Sequence, residues 1–230
     1  MKIVALSDFH GDLVSVPACD VVCIAGDIVP LKMQRNIPQS AKWLRKTFIP
    51  WCESLDCKHV ILVVGNHDFY FDTSFWTDKM DPAVARPSEI FANSDKIIYL
   101  QDNGCEIDGI KFYGTPWITG LPNWAFYTPD DTNYMKCIPD CDVLITHAPP
   151  YGLVGTVLQQ CWNYGRNFGS EALRDRLIDG GIRVCVSGHI HSGLHAEEMI
   201  GDVKCYNVSI KDDGYLIAFQ PLEFIVNHIE

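Results

Sequence analysis

Residues 59–68 read HVILVVGNHD, and this stretch decides the fold. A continuous run of Val, Ile and Leu is typical of a strand that is covered on both faces of its sheet. The run stops at a glycine, and Asn66, His67 and Asp68 follow at once. Because ligands gather at the carboxyl ends of strands in open α/β sheets, we expect these polar side chains to belong to a functional site.

Four other apolar runs end in polar residues in the same way. They are residues 2–6 before Ser7-Asp8, 21–25 before Gly26-Asp27, 142–145 before Thr146-His147 and 183–186 before Gly188-His189. Helical spacing of apolar residues predicts helices over 39–55, which Pro50 is expected to kink or split, and over 171–178, which Ser170 caps. Residues 107–110 (IDGI) predict a hairpin turn, and residues 205–226 predict further strands.

The order of these elements predicts the fold class. A βαβ beginning followed by hairpins indicates an α/β protein with two mixed β-sheets packed as a sandwich and flanking helices. The chain has 230 residues, within the roughly 200–250 that one such fold can reach. No repeat, low-complexity tract or linker interrupts the pattern. We therefore expect a single domain over residues 1–230.

Composition disfavours several classes of protein. The formal net charge is −11, and no basic stripe offers a surface to duplex nucleic acid. No stretch reaches the ~18 apolar residues of a membrane span, and Asp8 interrupts the first apolar run too early for a signal peptide. The ten cysteines are therefore expected to be reduced thiols of a cytoplasmic protein. Such an acidic protein can still bind a phosphate where metal cations supply positive charge.

The strand-end residues share one chemical property, which is that their side chains can bind metals. The set comprises Asp8, His10, Asp27, Asn66, His67, His147, His189 and His191. Taken singly, each piece has an ordinary explanation as a turn residue or a hydrogen-bonded core histidine. Taken together, five pieces in order after buried strands favour a site for a pair of divalent first-row metals. Imidazole, carboxylate and amide ligands suit Mn, Fe, Zn or Ni, and the sequence leaves the choice open.

In this order the motifs resemble those of the calcineurin-like metallophosphoesterase superfamily. The motifs are Asp8-x-His10, Gly26-Asp27, Gly65-Asn66-His67-Asp68, His147 and Gly188-His189-x-His191. The resemblance spans residues 8–191 and implies the calcineurin-like phosphoesterase fold. It implies that Asp8, His10, Asp27 and His191 hold one metal and that Asp27, Asn66, His147 and His189 hold the other, with Asp27 as the bridge. It also implies that His67 is a catalytic acid rather than a ligand.

Three further segments narrow the resemblance. Residues 65–72 (GNHDFYFD), 113–117 (YGTPW) and 146–150 (THAPP) are similar to segments of small single-domain phosphodiesterases of the metallophosphoesterase-domain-containing type. In the serine/threonine protein phosphatases, a second Asp and an Arg follow the Gly-Asp motif. Here residues 28–31 are IVPL. This departure argues against the protein-phosphatase branch, and it leaves open which residue orients His67.

The implied activity is hydrolysis of a small phosphate ester, by preference a phosphodiester. A metal-bound hydroxide would attack phosphorus while His67 protonates the leaving oxygen. A phosphomonoesterase, a nucleotide pyrophosphohydrolase and a nuclease on the same site are alternatives, as is a non-catalytic scaffold of the same fold. Arg166 and Asn163 are candidate substrate contacts. Phe69, Trp117 and Tyr151 are candidate walls of the substrate pocket, against the alternative that they pack in the core.

Overall fold

The computed structural model describes residues 1–77 and 84–228. Its strands, in chain order, are β1 (Lys2–Leu6), β2 (Val21–Ala25), β3 (His59–Val63), β4 (Ile97–Tyr99), β5 (Asn103–Ile107), β6 (Ile110–Thr115), β7 (Cys141–Thr146), β8 (Ile182–Ser187), β9 (Glu197–Ile200), β10 (Val203–Asn207) and β11 (Leu222–Ile225). The α-helices are α1 (Ile37–Trp43), α2 (Ile49–Ser54), α3 (Thr132–Lys136) and α4 (Glu171–Ile178).

The strands form two mixed sheets. The first sheet has the order β11-β1-β2-β3-β4, in which β1 to β4 are parallel and β11 is antiparallel to β1. The second sheet has the order β5-β6-β7-β8-β10-β9, in which β6, β7, β8 and β10 are parallel. Parallel strands of one sheet end at the same edge, and this arrangement brings the polar strand ends together. The predicted fold class is confirmed.

Three apolar clusters show how the layers are stacked. Ile3 and Ile61 of the first sheet pack with Phe112 and Val143 of the second, so the two sheets face each other. The outer face of the first sheet packs against α1, α2 and the segment between them. The outer face of the second sheet packs against α3 and α4. The order is therefore helices, sheet, sheet, helices, and the core strands are covered on both faces as their continuous apolar runs predict.

The predicted strands, turns and helices can be compared with the structure one by one. The strands that carry the polar ends, the 107–110 turn and helix 171–178 with its Ser170 cap are confirmed. The predicted 39–55 helix is split: a π-helical segment, Leu44–Phe48, separates α1 from α2, and Pro50 lies in the first turn of α2. The strands predicted within 205–226 are found as β10 and β11, with non-strand structure between them. The polar KDDG run at 211–214 turns the chain between them.

Two further observations concern the cysteines and the helices. All ten cysteines are free thiols. Within residues 1–77 and 84–228, no helix is both long enough and apolar enough to cross a membrane.

Candidate metal centre

The polar residues at the strand ends converge between the two sheets. Hydrogen bonds join them across the sheets: the Asp8 carboxylate accepts the backbone N–H of His189 at 3.0 Å, and His147 Nδ1 lies 2.8 Å from the Ala25 carbonyl oxygen. Six members of the cluster are buried, Asp8 and His147 fully so, whereas His189 and His191 are half-buried. Burying several ionisable groups together is costly, and a bound cation would offset part of that cost.

Four of these residues have a left-handed backbone, which is uncommon outside glycine. The φ angles are 58° at Asp8, 45° at His10, 56° at Asp27 and 69° at His189. Each such conformation carries a cost of roughly 1–3 kcal/mol and persists where surrounding structure enforces it. Four of the eleven described non-glycine residues with this conformation therefore carry side chains of the cluster, as is common at functional sites.

The first group of side chains consists of Asp8, His10 and His191. His191 Nε2 lies 3.3 Å from Asp8 Oδ1 and 3.3 Å from His10 Nε2. One ligand atom from each residue lies within 4.8 Å of the others, close enough for a single cation to reach all three. Burial is the largest single effect and opposes ionisation of Asp8, but the hydrogen bond with His191 and the nearby histidine rings together outweigh it and hold the pKa of Asp8 well below its usual range.

The second group lies around His147. His147 Nε2 is 2.9 Å from Asn66 Oδ1 and 3.4 Å from Asp27 Oδ1. Because Nδ1 of His147 faces the Ala25 carbonyl oxygen, Nε2 is left to face the site, as in histidine ligands held by a backbone acceptor. The His189 ring packs edge-on against His147 with 4.9 Å between centroids. All four residues that the resemblance assigns to the second metal therefore lie together.

Asp27 lies between the two groups and offers one carboxylate oxygen to each. Its Oδ2 is 3.8 Å from His10 Nε2, and its Oδ1 is 3.4 Å from His147 Nε2. Burial, and then the nearby Asp8 and Asp68 carboxylates, raise the pKa of Asp27 well above its usual value. A carboxylate in this position is expensive to ionise unless a cation lies beside it.

The donor set fits divalent cations. His10 Nδ1 is buried and has no hydrogen-bond partner among the described residues, so the ring is held by packing and its Nε2 faces the first group. Burial lowers the pKa of His10 and of His189 to about 3, which leaves both imidazoles neutral and able to donate a lone pair. The Nδ1 of His191 lies 3.2 Å from the Asp212 carbonyl oxygen, which turns its Nε2 toward Asp8.

Glycines make room for the cluster. At Gly188 an added Cβ would lie 2.1 Å from Ser7 Oγ and 2.3 Å from Asp8 Oδ2. At Gly65 it would lie 2.3 Å from Asp27 Oδ1. Both contacts are too short for any side chain. The backbone therefore approaches the proposed ligands closely at these positions, as expected for glycines beside a packed site.

His67 faces the same space, and the structure shows what holds its ring. Nδ1 of His67 is hydrogen-bonded to the side-chain oxygen Oε1 of Gln34, and Nε2 lies 3.7 Å from Asp27 Oδ2. The ring packs on Trp124, with 4.5 Å between centroids, and edge-on to His10 at 4.7 Å. Burial lowers the pKa of His67 to about 2. Gln34 was not found from the sequence, because 33 residues separate it from His67.

A cavity of about 270 Å³ opens onto these residues. Proposed metal ligands and His67 form its floor, and other residues form its walls. The latter include Leu121, Trp124, Asn163, Phe168 and Tyr215. Tyr215 packs against two proposed ligands, with ring centroids 5.1 Å from His10 and 4.9 Å from His191. Sequence reasoning missed Trp124 and Tyr215, since neither lies in a motif.

The structure places the two candidate substrate residues differently. Asn163 lines the cavity, whereas Arg166 is exposed beside it and donates a hydrogen bond of 3.1 Å from Nη1 to Asn163 Oδ1. None of the three candidate aromatic walls lines this cavity. Phe69 is buried against Phe75 and Trp124, Trp117 stacks on Tyr134 and lines a different cavity, and Tyr151 lies beside Arg174. The alternative of packing away from the site therefore holds for Phe69 and Trp117, whereas Tyr151 is exposed.

A sandwich of two mixed sheets with acids, an amide and imidazoles at its strand ends fits a metal-dependent phosphoester hydrolase. The chain belongs to the calcineurin-like phosphoesterase family, whose model matches residues 1–193. The resemblance seen in the motifs is thereby confirmed.

Among curated proteins, the chain is similar to human metallophosphoesterase domain-containing protein 1. The two are 31% identical over 209 residues, which cover 84% of this chain and 61% of the human protein. Among solved structures, the phosphopantetheinyl hydrolase of Mycobacterium tuberculosis has 16% identity, a TM-score of 0.53 and coverage of 93% and 90%. A dimetal phosphatase of Danio rerio has 11% identity, a TM-score of 0.50 and coverage of 92% and 87%. At these identities the solved structures show the fold alone.

Proposed function

We propose that this chain is a two-metal phosphodiesterase that hydrolyses a small phosphate ester, with His67 as the general acid. One observation carries the proposal: Asp27 offers one oxygen to each of two clusters of metal-binding side chains, and the His67 ring faces the same cavity. Family membership supplies the reaction class. The phosphodiester preference, the acid and the number of metals go beyond it.

In this proposal each ligand set has a defined composition. Asp8, His10, Asp27 and His191 hold one metal, and Asp27, Asn66, His147 and His189 hold the other. When bound, such a pair neutralises charge on phosphoryl oxygens and lowers the pKa of a coordinated water. Mn, Fe, Zn and Ni remain the candidates, because mixed imidazole and oxygen ligands suit all four.

The protein's own residues then orient the ester and move one proton. Nε2 of His67 protonates the leaving oxygen, and help of this kind typically contributes ~10²–10⁴-fold. A phosphate anion in the cavity favours the protonated imidazole, because an opposite charge stabilises the charged form. Asn163 offers an amide to the ester's polar groups, and Arg166 reaches the substrate from the rim. Trp124 and Tyr215 form walls that exclude water from the reacting centre.

The choice of a small diester rests on charge and on the site's surroundings. The net charge of −11 disfavours a duplex nucleic acid as substrate. The Asp and Arg that follow the Gly-Asp motif in protein phosphatases are absent after Gly26-Asp27, which argues against a phosphoprotein substrate.

The chain spans 61% of the length of its human relative, and we propose that residues 1–230 form one metallophosphoesterase domain. The cytoplasmic location stays a prediction.

A substrate panel tests the proposal. Values of kcat/KM are measured with added Mn²⁺ for bis(p-nitrophenyl) phosphate, a cyclic nucleotide, p-nitrophenyl phosphate, a nucleoside diphosphate ester and a phosphoserine peptide. We expect the diesters to be hydrolysed best. Preference for p-nitrophenyl phosphate or the diphosphate ester would favour the monoesterase or pyrophosphohydrolase alternative. Absence of activity on every substrate, from a folded and metal-loaded chain, would favour the scaffold.

A further inference from the structure

Gln34 contacts the ring of His67 from the side away from the metal centre. Its Oε1 is the hydrogen-bond partner of His67 Nδ1. The opposite ring nitrogen, Nε2, lies 3.7 Å from Asp27 Oδ2 and faces the cavity. An amide oxygen can only accept a hydrogen bond, so in this contact Nδ1 carries the proton. The partner of one imidazole nitrogen decides what the other nitrogen can do.

The segment that carries Gln34 is held at several points. Met33 N donates to the Pro30 carbonyl oxygen at 2.9 Å, and Asn36 N donates to the Met33 carbonyl oxygen at 2.8 Å. Ser40 Oγ of α1 donates to the same Met33 oxygen at 2.9 Å. The next residue, Arg35, places its guanidinium 4.2 Å from the centroid of the Phe69 ring. Gln34 is therefore presented from an anchored turn.

Packing alone does not decide which nitrogen of His67 faces the site. A half-turn of the imidazole about its Cβ–Cγ bond exchanges Nδ1 with a carbon while the shape of the ring hardly changes. The contacts with Trp124 and His10 fix the plane of the ring, but they are nearly the same in both flipped orientations. The hydrogen bond to Gln34 distinguishes the two orientations, since only one of them places an N–H against the amide oxygen.

We propose that Gln34 is the positioning residue for His67, holding Nδ1–H on its amide oxygen so that Nε2 faces the leaving group. The role rests on the proposed function, in which His67 is the general acid. Gln34 thus supplies the orienting group for His67 that the departure after Gly26-Asp27 left open. It holds the ring with a neutral acceptor and adds no negative charge beside the buried Asp27 and Asp8 carboxylates.

The kinetic test compares three variants on two substrates. Gln34→Leu removes the acceptor, Gln34→Glu keeps an oxygen at the same reach, and Gln39→Leu makes the same change at an exposed position on α1. The substrates are bis(p-nitrophenyl) phosphate, whose leaving group needs no proton, and a cyclic nucleotide, whose alkoxide does. We expect Gln34→Leu to slow the cyclic nucleotide about 2- to 12-fold, the range of one net hydrogen bond. The nitrophenyl ester should change less than about twofold.

Gln34→Glu is expected to restore most of the lost rate, and Gln39→Leu is expected to match the wild type. Metal content is measured on every variant. An equal loss on both substrates with normal metal content, or a Glu variant no better than the Leu variant, would overturn the positioning role.

A measurement without catalysis separates this proposal from the proposed function. In the zinc-loaded protein, ¹⁵N chemical shifts of the His67 ring report which nitrogen carries the proton. We expect Nδ1–H in the wild type and a mixture of tautomers in Gln34→Leu. A wild-type ring protonated on Nε2 alone, or a spectrum that Gln34→Leu leaves unchanged, would reject the role of Gln34. If these spectra agree but His67→Ala shows no leaving-group dependence, the acid assignment in the proposed function fails instead.

Discussion

The buried carboxylate of Asp68 accepts the backbone N–H of Asp27 at 2.9 Å. The same carboxylate accepts the N–H groups of Ile28, Val29 and Gly65 at 2.8–3.0 Å. Although these bonds favour the ionised form, burial is the larger effect and raises the pKa of Asp68 to about 6. Asp68 therefore ties the chain after β2 to the chain after β3. In the motif Gly65-Asn66-His67-Asp68, its role is to hold the backbone that carries the proposed ligands.

Asp68→Ala should destabilise the fold strongly, because it leaves four buried N–H groups without their acceptor. We expect the free energy of unfolding to fall by about 3–5 kcal/mol, the range for breaking a buried charged network. Chemical denaturation at fixed metal concentration measures the change. The exposed Asp56 provides the control, and Asp56→Ala should shift the value by less than about 0.5 kcal/mol. Equal effects of the two substitutions would contradict this account of Asp68.

Asp27→Ala should reduce metal content at both sites, because its two oxygens face different ligand groups. His10→Ala should mainly reduce occupancy of the first site, since His10 Nε2 lies beside Asp8 and His191. Elemental analysis of the purified variants after dialysis gives the number of ions per chain. Two ions retained by Asp27→Ala would rule out the bridging assignment.

His67→Ala should leave the metals bound and should slow esters according to their leaving groups. Nitrophenolate departs without a proton, whereas the ribose oxygen of a nucleotide ester requires one. The loss on the nucleotide ester could therefore exceed that on the nitrophenyl ester by a factor approaching ~10²–10⁴. Parallel kinetics and metal analysis decide the matter. Equal losses with intact metals would indicate electrostatic stabilisation alone, and missing metals would make His67 a ligand.

Protonation of His195 should lower the free energy of unfolding as the pH falls from about 6.5 to about 4. Its ring stacks on Phe219 at 4.6 Å, and burial lowers its pKa to about 4. The unfolded chain, with an ordinary histidine pKa near 6.5, binds the proton first, so acid favours unfolding in this window. From pH 7 to pH 5 the wild type should lose about 1–2 kcal/mol more than His195→Asn, which tolerates the left-handed backbone at this position.

Denaturation curves of the two proteins at both pH values check this difference. Protonation of the other histidines affects both proteins and cancels in the comparison. The exposed His228 is a suitable control, and His228→Asn should retain the pH dependence of the wild type. Identical pH dependence in wild type and His195→Asn would refute the assignment.

The sequence predicts those features that depend on neighbouring residues. The strands before Asp8, Asp27, Asn66, His147 and His189 follow from their Val and Ile runs, and the Ser170 cap follows from local helix chemistry. Contacts between distant residues leave no such local signal. The pairing of β11 with β1 closes a separation of more than 200 residues, and neither the Gln34–His67 contact nor the Tyr215 wall is encoded in a motif.

Aromatic residues show a related limit of prediction from the sequence. Phe69 and Trp117 lie near predicted site motifs in the sequence, but Phe69 packs behind the cavity wall Trp124 and Trp117 stacks on Tyr134, so neither ring lines the cavity. Trp124, in a loop without any predicted role, packs on His67 instead. An apolar ring gains from any close packing, so its type alone does not show which surface it covers.

Metal-dependent hydrolysis of bis(p-nitrophenyl) phosphate tests the central claim most directly. The chain is stripped with a chelator, and activity is followed as Mn²⁺ is added while bound metal is counted. We predict no activity in the stripped protein and a rise that saturates at two ions per chain. Undiminished activity after stripping, or a chain that binds two ions and hydrolyses nothing, would contradict the claim.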